Sequence, residues 1–199
     1  PGEPEDNITF SMGCNYPDPS IKDSKEYKFL MNFYKQILPI KAVRIFLLDL
    51  KATGLCGKQL AQLLAVEEGK GANGKTVDDN LTRAVFGDYD GILPTEAWIA
   101  SGRNTDSEAP SPFLAEIPGK RRVSSEEFPP SCRFNLEFLK RMTGGGEVTG
   151  RKLKTAPIKF IPQCTMFLIT NVLPRVSNQT DEAAWRRIKR IHFPARFKE

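Results

Sequence analysis

The sequence feature that constrains this chain most is a glycine-rich loop at residues 69–76, which reads GKGANGKT. The loop fits the phosphate-loop pattern G-x-x-x-x-G-K-[ST] at every fixed position. Glycines allow such a loop to curve so that several backbone N–H groups point at the phosphates. In this pattern the lysine, Lys75, reaches the β- and γ-phosphates, and the hydroxyl of Thr76 ligates Mg²⁺. The loop therefore predicts a nucleotide site formed by Gly69, Gly71, Ala72, Asn73, Gly74, Lys75 and Thr76.

The segments on either side of the loop have the patterns that a phosphate loop requires, a strand before it and a helix after it. Residues 60–66, LAQLLAV, form an apolar run long enough for a buried strand. The following helix can end at Gly87, and its apolar face consists of Val77, Leu81, Ala84 and Val85. Glu67 and Glu68 come just before a loop that would hold an anion, so we expect both side chains to point away from the phosphates.

Length, hydropathy and cysteine use narrow the class of protein. A chain of 199 residues can bury one core with a small appendage. No apolar run approaches the roughly 20 residues of a membrane span, so we expect no membrane partner. The four cysteines form no C-x-x-C pair, which disfavours a zinc site and a disulfide framework and favours a reducing, intracellular compartment. The chain begins at Pro1 rather than Met and shows no signal peptide, so we expect an excised fragment.

The basic residues are concentrated in the C-terminal part of the chain. Residues 150–199 contain eleven Lys and Arg against three acidic residues, whereas the other 149 residues contain 18 basic and 21 acidic side chains. This asymmetry favours a nucleic-acid face in the C-terminal third. The alternative is a basic surface that is merely solvated. His192 is the only histidine, which leaves little room for histidine-based metal or triad chemistry.

Two helices precede the phosphate loop. Apolar residues keep helical spacing over residues 27–38, where Pro39 stops the helix, and again over residues 43–50, with Gly54 near the end. We expect residues 1–57 to form an extended lead-in and a small helical subdomain. Residues 58–199 then form the nucleotide-binding domain of an α/β protein. Residues 100–118 are polar and rich in proline, and we expect mostly loop there.

Further candidate residues follow in three later segments. Residues 120–127 resemble a strand edge that ends in acid at Glu126 and Glu127, although the usual hydrophobic run before such an acid is nearly missing. Residues 165–170, TMFLIT, are the clearest buried strand, and they deliver Asn171 at the carboxyl end, where ligands of open α/β sheets bind. Residues 147–160 predict a β-hairpin with a basic tip formed by Arg151, Lys152 and Lys154.

Taken together, a series of short motifs occurs in the order found in superfamily 3 helicases. They are GANGKT at 71–76, FGDY at 86–89, APSP at 109–112, GKR at 119–121, SE at 125–126, MTGG at 142–145, TN at 170–171 and WRRI at 185–188. The chain most resembles the primase–helicases of poxviruses, giant DNA viruses and certain phages. The resemblance implies an AAA+-like ATPase core that assembles into a hexameric ring and translocates along single-stranded DNA with ATP and Mg²⁺. It also implies a primase portion in the full-length protein and work at a viral or phage replication site.

The resemblance also implies a role for each matching position. Lys75 and Thr76 match the Walker A lysine and hydroxyl, and Glu126 best matches the Walker B acid on Mg²⁺, with Glu127 as the near alternative. Asn171 matches the polar sensor that orients water or contacts the γ-phosphate. The arginine finger that a neighbouring subunit inserts matches Arg187, with Arg186 as the fallback. Arg151 and Lys152 fall in the motif that forms the DNA-contacting hairpin, and Lys154 is the third basic residue of the same predicted hairpin. If these three residues only solvate the surface, a DNA-binding role is expected first at Lys120, Arg121 and Arg122.

Two other interpretations stay open at this stage. The short strand before Glu126 and the acidic stretch before Gly69 depart from the helicase pattern, so the chain could be a truncated or degenerate relic that binds nucleotide or DNA without turnover. A small kinase built on the same loop is the other alternative. The basic C-terminal third and the absence of an obvious lid over an acceptor site count against a kinase.

Overall fold

The computed structural model describes residues 9–100, 111–176 and 180–197. In these ranges the helices are α1 Lys25–Ile37, α2 Lys41–Thr53, α3 Lys75–Phe86, α4 Leu136–Thr143 and α5 Glu182–Trp185. The strands are β1 Leu64–Glu68, β2 Asp90–Ile92, β3 Arg122–Glu126, β4 Val148–Gly150, β5 Ile158–Phe160, β6 Thr165–Thr170 and β7 Ile188–His192. Of the predicted loop at 100–118 and the APSP motif, residues 101–110 lie outside the described ranges.

A five-stranded sheet with the order β2-β3-β6-β1-β7 forms the centre of the fold, and every neighbouring pair is parallel. Strand β6 is buried along its whole length, because it lies between β3 and β1 and is covered on both faces. All five strands end at the same edge of the sheet. The segments that follow β1, β3 and β6 therefore meet there, and these segments contain the glycine loop, Glu127 and Asn171.

The strand predicted at residues 60–66 is placed too early. Strand β1 begins at Leu64 and runs on to Glu68, and Leu60 is exposed. Every residue of β1 pairs with neighbours on both sides; Val66, for example, stands beside Leu168 of β6 and Arg190 of β7. The helices expected at 27–38 and 43–50 are confirmed as α1 and α2.

Two apolar cores lie on opposite faces of the sheet, as the alternation of side chains along a strand dictates. Leu64 and Val66 face a core built around Trp98, Phe134 and several residues of α4. Ala65 and its neighbours in β6 and β7 face the other core, which α1 and α2 complete. The residues of this second core are Tyr34, Ile37, Leu38, Leu47, Leu50, Ala65, Phe167, Ile191 and Phe193. The helices of residues 1–57 thus share their core with the sheet, and the division of the chain at residue 57 stays a prediction.

Strand β3 explains the missing hydrophobic run before Glu126. Polar residues occupy buried positions of β3, and their side chains form hydrogen bonds within the protein. Ser125 Oγ donates to the Leu93 carbonyl at 2.5 Å and accepts from Trp98 Nε1 at 2.8 Å. Because each buried hydroxyl has partners, an interior strand tolerates it at little cost.

Among the described residues, no helix is long and apolar enough to cross a membrane.

Candidate functional site

The glycine loop connects β1 to α3 in a conformation that needs its glycines. Gly74 has a positive φ of 87° and directly precedes the first residue of α3, while Ala72 is also left-handed at 58°. A Cβ on Gly69 would lie 2.6 Å from the Phe193 carbonyl oxygen, and one on Gly74 would lie 2.5 Å from Ile37 Cγ2. By contrast, a Cβ on Gly71 would meet nothing within 4 Å. The ends of the loop are therefore held by close packing, and its middle is open to a ligand.

Lys75 ties the loop to the end of β6. Its ammonium group donates to the carbonyl of Gly69 and to Asn171 Oδ1 at 3.4 Å. Burial lowers the pKa of Lys75, and the charges of Glu68 and Glu67 act in the opposite direction. Lys75 is only 5% exposed, so its ammonium group faces the loop and Asn171 rather than bulk solvent.

A cavity of about 330 Å³ lies at this edge of the sheet. It brings together the predicted residues Lys75, Thr76, Glu126 and Asn171, and Glu127 also lines it. The remaining lining comes from the loop and from the ends of α3 and β6: Gly71, Ala72, Asn73, Gly74, Val77, Ile169 and Thr170. Five of the side chains that sequence analysis singled out thus converge from three different parts of the chain.

A second cavity of about 750 Å³ adjoins the first across the glycine loop. Gly71 and Ala72 line both cavities, so one elongated ligand can reach from one to the other. The second cavity is otherwise lined by Glu68, Lys70, His192, Phe193, Pro194, Ala195 and Arg196. The chain after β7 forms this wall because the backbone N–H of Phe197 donates to the carbonyl of Ala72 at 2.8 Å.

The two acids before the loop are turned away from the smaller cavity, as expected. Glu67 is 2% exposed, and burial raises its pKa to about 7. Glu68 accepts from Arg190 Nη2 and His192 Nδ1, each at 2.9 Å. Burial raises the pKa of Glu68, but its hydrogen bonds from His192 and Arg190 together bring that pKa below the ordinary value.

A network of buried charges that the sequence patterns did not predict lies behind the cavity. Lys51 of α2 donates to both carboxylate oxygens of Asp78 at 2.6 Å, and the Tyr34 hydroxyl donates to the same carboxylate at 2.7 Å. On the other side of α3, the Arg122 guanidinium bonds to Asp79 and to Asp90. The available signal was an arginine at the start of a predicted strand, because a cation that is buried there requires a paired carboxylate.

This network also corrects one prediction. Arg122 belongs to the basic segment 120–122, which was the second candidate for DNA binding. It is 1% exposed and paired with two carboxylates, so it cannot contact DNA. Lys120 and Arg121 are partly exposed; Lys120 donates to the Asp88 carbonyl and Arg121 donates to Gln163. The segment therefore faces inward at its last residue and the protein surface at the other two.

The basic hairpin forms as predicted. Strands β4 and β5 are antiparallel, with Val148 opposite Phe160, and the intervening tip carries Arg151, Lys152 and Lys154 on the surface. Lys152 pairs with Glu116 at 2.5 Å, and Arg151 Nε donates to the Thr155 carbonyl at 3.3 Å. Leu153 at the same tip is 73% exposed. None of these residues lines the two cavities.

The two arginine-finger candidates lie apart from the smaller cavity, just before β7. Arg187 is 8% exposed, and its Nη1 donates to the carbonyl of Ala183, one turn earlier. Arg186 is exposed. A residue that serves a neighbouring subunit need not approach its own cavity, and the choice between the two arginines stays open.

No protein-family model matches the chain. Sequence comparison finds relatives in large DNA viruses. The chain is 33% identical over 196 residues to the candidate helicase L207/L206 of Acanthamoeba polyphaga mimivirus, which covers 98% of this chain and 20% of that protein. It is 27% identical over 170 residues to the candidate primase C962R of African swine fever virus, which covers 85% of this chain and 18% of the relative. This chain is a homologue of the candidate helicases and primases of giant DNA viruses.

This homologue of the viral proteins spans about a fifth of the length of the curated relatives it matches. Among solved structures, it matches the apo C-terminal region of NrS-1, residues 305–718, with a TM-score of 0.61 at 14% identity. The match covers 93% of this chain and 42% of the NrS-1 region. At this identity the likeness shows a shared α/β fold, and the family resemblance rests on the viral sequences.

Proposed function

We propose that this chain is the ATPase motor of a viral- or phage-type DNA helicase, with an AAA+-like core, and that it couples ATP hydrolysis to movement along single-stranded DNA. The observation that supports this most is the meeting of Lys75, Thr76, Glu126 and Asn171 around one cavity at the carboxyl ends of parallel strands. Homology to viral candidate helicases is consistent with the same conclusion. The basic hairpin, on a separate part of the surface, supplies a place for DNA.

The glycine loop would bind the phosphates of ATP. Its middle is open at Gly71, and its backbone N–H groups lead into the first turn of α3, where the helix dipole favours an anion. Lys75 would exchange the Gly69 carbonyl for the β- and γ-phosphate oxygens, which carry more negative charge. The nucleoside would extend across Gly71 and Ala72 into the larger cavity beside β7.

A magnesium ion fits the residues at the γ-phosphate end. Mg²⁺ binds through one or two protein oxygens, water and substrate phosphates, so the Thr76 hydroxyl and one carboxylate are a sufficient protein contribution. Consistent with this, the described residues contain no cluster of three or more His, Cys, Asp or Glu that could hold a metal without the nucleotide. Glu126 is the carboxylate we assign, with Glu127 as the alternative. When bound, the ion neutralises charge on the phosphates during transfer to water.

Two further residues would complete hydrolysis. Asn171 lies within hydrogen-bond distance of Lys75 and could orient the attacking water against the γ-phosphate. Arg187 would come from a neighbouring copy in a homo-hexamer and place its charge on the transferring group, for which it must leave the Ala183 carbonyl. A primase portion elsewhere in the full-length protein, and action at a viral replication site, follow from the same assignment.

Binding of single-stranded DNA at the hairpin tip would be independent of base sequence. Arg151, Lys152 and Lys154 are exposed cations suited to phosphate oxygens, and a motor must hold every sequence alike. Leu153 adds an exposed apolar side chain against which a base or sugar can pack.

ATP hydrolysis with and without single-stranded DNA tests the proposal. We expect turnover by the native chain that DNA stimulates, and loss of the stimulation when Arg151, Lys152 and Lys154 are all changed to alanine. The triple variant should bind two unrelated oligonucleotides more weakly by a similar factor, and its log–log salt slope should fall by about 0.7 for each DNA phosphate that it no longer neutralises. Nucleotide or DNA binding without any turnover would instead favour a relic of the family, and turnover that ignores DNA would favour another phosphate-loop enzyme.

A further inference from the structure

Arg83 connects the buried charge network to the acid at the cavity. It lies on α3 two turns after Lys75 and is about one quarter exposed. Its Nη2 donates to Glu126 Oε1 and, at 3.4 Å, to Ser124 Oγ. Its Nε donates to Asp79 Oδ2 at 2.6 Å. One guanidinium group thus bridges the phosphate-loop helix and the end of strand β3.

The orientation of Arg83 is fixed from behind. Asp79 is 3% exposed, and its second oxygen, Oδ1, accepts from Arg122, which is itself 1% exposed. Arg122 is in turn held by Asp90 Oδ1 at 2.5 Å. Because Asp79 cannot rotate without breaking its bond to Arg122, it holds Arg83 Nε in one place and aims Nη2 at Glu126.

Glu126 needs such a partner, because its side chain is half-exposed at the end of a strand. An exposed glutamate samples several rotamers, and a metal ligand must hold one. The bond from Arg83 uses Oε1. Within the described ranges, Oε2 of Glu126 accepts no hydrogen bond from the protein, so that oxygen is available to a ligand in the cavity.

We propose that Arg83 is a positioning residue, which holds one carboxylate oxygen of Glu126 and thereby presents the other to Mg²⁺ and water at the nucleotide phosphates. This inference rests on the proposed function, since it assigns Mg²⁺ to Glu126. Partners that hydrogen-bond a metal-ligating carboxylate commonly change metal affinity or activity 10- to 100-fold when removed. A purely structural Arg83 would only neutralise Asp79.

The test compares Mg²⁺ dependence in three variants of the full chain. Arg83→Ala removes the bond to Glu126, and Arg83→Lys keeps the charge but has a single donor nitrogen in place of the guanidinium fork. Lys140→Ala is the matched control, because it removes a partly exposed ion pair between Lys140 of α4 and Asp181, neither of which lines the cavity. For each, binding of a non-hydrolysable fluorescent ATP analogue is titrated with Mg²⁺, and separately measured in EDTA.

We expect Arg83→Ala to raise the half-saturating Mg²⁺ concentration about 10- to 100-fold, with nucleotide affinity in EDTA unchanged. It should lower kcat by a similar factor with little change in KM. Arg83→Lys should recover part of the loss, and Lys140→Ala should behave like the native chain. In a Glu126→Gln background, Arg83→Ala should add no further loss.

The proposal is overturned if Arg83→Ala folds, as judged by circular dichroism, and keeps native Mg²⁺ dependence. If Arg83→Ala does not fold, Arg83→Gln decides the matter through the same titration, because its amide nitrogen can replace Nε as the donor to Asp79 but it has no counterpart of Nη2 for Glu126. Mg²⁺ dependence equal to that of the native chain in Arg83→Gln then refutes the role. A different result would refute the proposed function itself: nucleotide binding by the native chain that does not depend on Mg²⁺, together with nucleotide binding that Lys75→Ala leaves unchanged.

Discussion

Helix α3 has two faces whose environments are the reverse of those in an ordinary amphipathic helix. The polar face, with Asp78, Asp79 and Thr82, is buried between the sheet and α2. The apolar face, with Val77, Leu81 and Val85, is 40–51% exposed. Periodicity alone would put the second face in the core. The difference shows that a helix can be oriented by charges that find partners, when those partners are already fixed in neighbouring elements.

The residues on the buried face of α3 have two different roles. At its first turn Lys75 serves the cavity, whereas Asp78 and Asp79 further along hold α2 and β3 in place. Substitutions on the buried face should therefore reduce either activity or stability, depending on the position. Substitutions on the exposed face should have little effect on either.

The largest expected effect is at Lys75. Lys75→Ala should abolish hydrolysis while the fold survives, because the side chain's partners are a loop carbonyl and Asn171 rather than the core. The measurement is turnover together with a circular dichroism spectrum. Undiminished turnover would contradict the assignment of the glycine loop to phosphates.

Lys75→Ala also helps to test whether neighbouring subunits share one hydrolysis site. An arginine finger contributes about 10³–10⁵ in rate, so Arg187→Ala should bind ATP and fail to turn over. Mixed with Lys75→Ala, it should recover part of the activity, since some interfaces then pair an intact loop with an intact arginine. If the two variants co-assemble and remain inactive together, Arg187 does not act on a neighbour, and Arg186 is tested next.

The next effect is on stability, at Asp78. Asp78→Ala leaves the Lys51 ammonium buried without its carboxylate, and breaking a buried pair in this way costs about 3–5 kcal/mol. Urea unfolding measures the loss. Asp49→Ala on α2 is the control, because Asp49 is exposed and its removal should cost under about 0.5 kcal/mol. Similar midpoints for the two variants would show that the buried face tolerates an unpaired lysine.

Glu67 should give a smaller, pH-dependent effect. Burial raises its pKa in the folded state to about 7, against an ordinary value of 4.5, with charges of Lys51, Asp78, Arg122 and Asp79 nearby. The unfolded chain therefore loses this proton at lower pH than the folded chain does. The contribution of Glu67 is fully present below pH 4.5 and is lost as pH rises towards and through 7.

Glu67→Gln removes that dependence. Relative to the native chain, the variant should gain up to about 3 kcal/mol in unfolding free energy between about pH 4.5 and about pH 8. Urea midpoints at several pH values provide the comparison. A constant difference between the two proteins over this range would mean that Glu67 titrates alike in both states.

The smallest effect belongs to the exposed face. Leu81→Ala should cost less than about 1 kcal/mol, because Leu81 is 40% exposed. Leu47→Ala on α2 makes the same change at a fully buried position and should cost about 2–5 kcal/mol. Equal costs would mean that the apolar face of α3 is covered in solution, which would undo the comparison between the two faces.

Much of the candidate site could be predicted before the fold was known. The glycine loop and Asn171 follow from short-range patterns, and both lie where strand ends meet in the sheet. Glu126 is harder to recognise, because β3 has little of the apolar character of a buried strand. Its polar residues form hydrogen bonds with side chains from distant segments, such as Trp98. No local sequence pattern predicts these partners.

The conformation of the loop follows from local sequence, because glycines at fixed spacing set the backbone and place Lys75 and Thr76 at the start of a helix. Which face of that helix is buried, and which residues hold it, depends on the fold as a whole. Lys51 and Asp78 are 27 residues apart, and Arg83 and Glu126 are 43 residues apart. Their pairing requires the relative placement of α2, α3 and β3. Charges bond through space at a few ångströms, whereas periodicity reports only on neighbours along one helix.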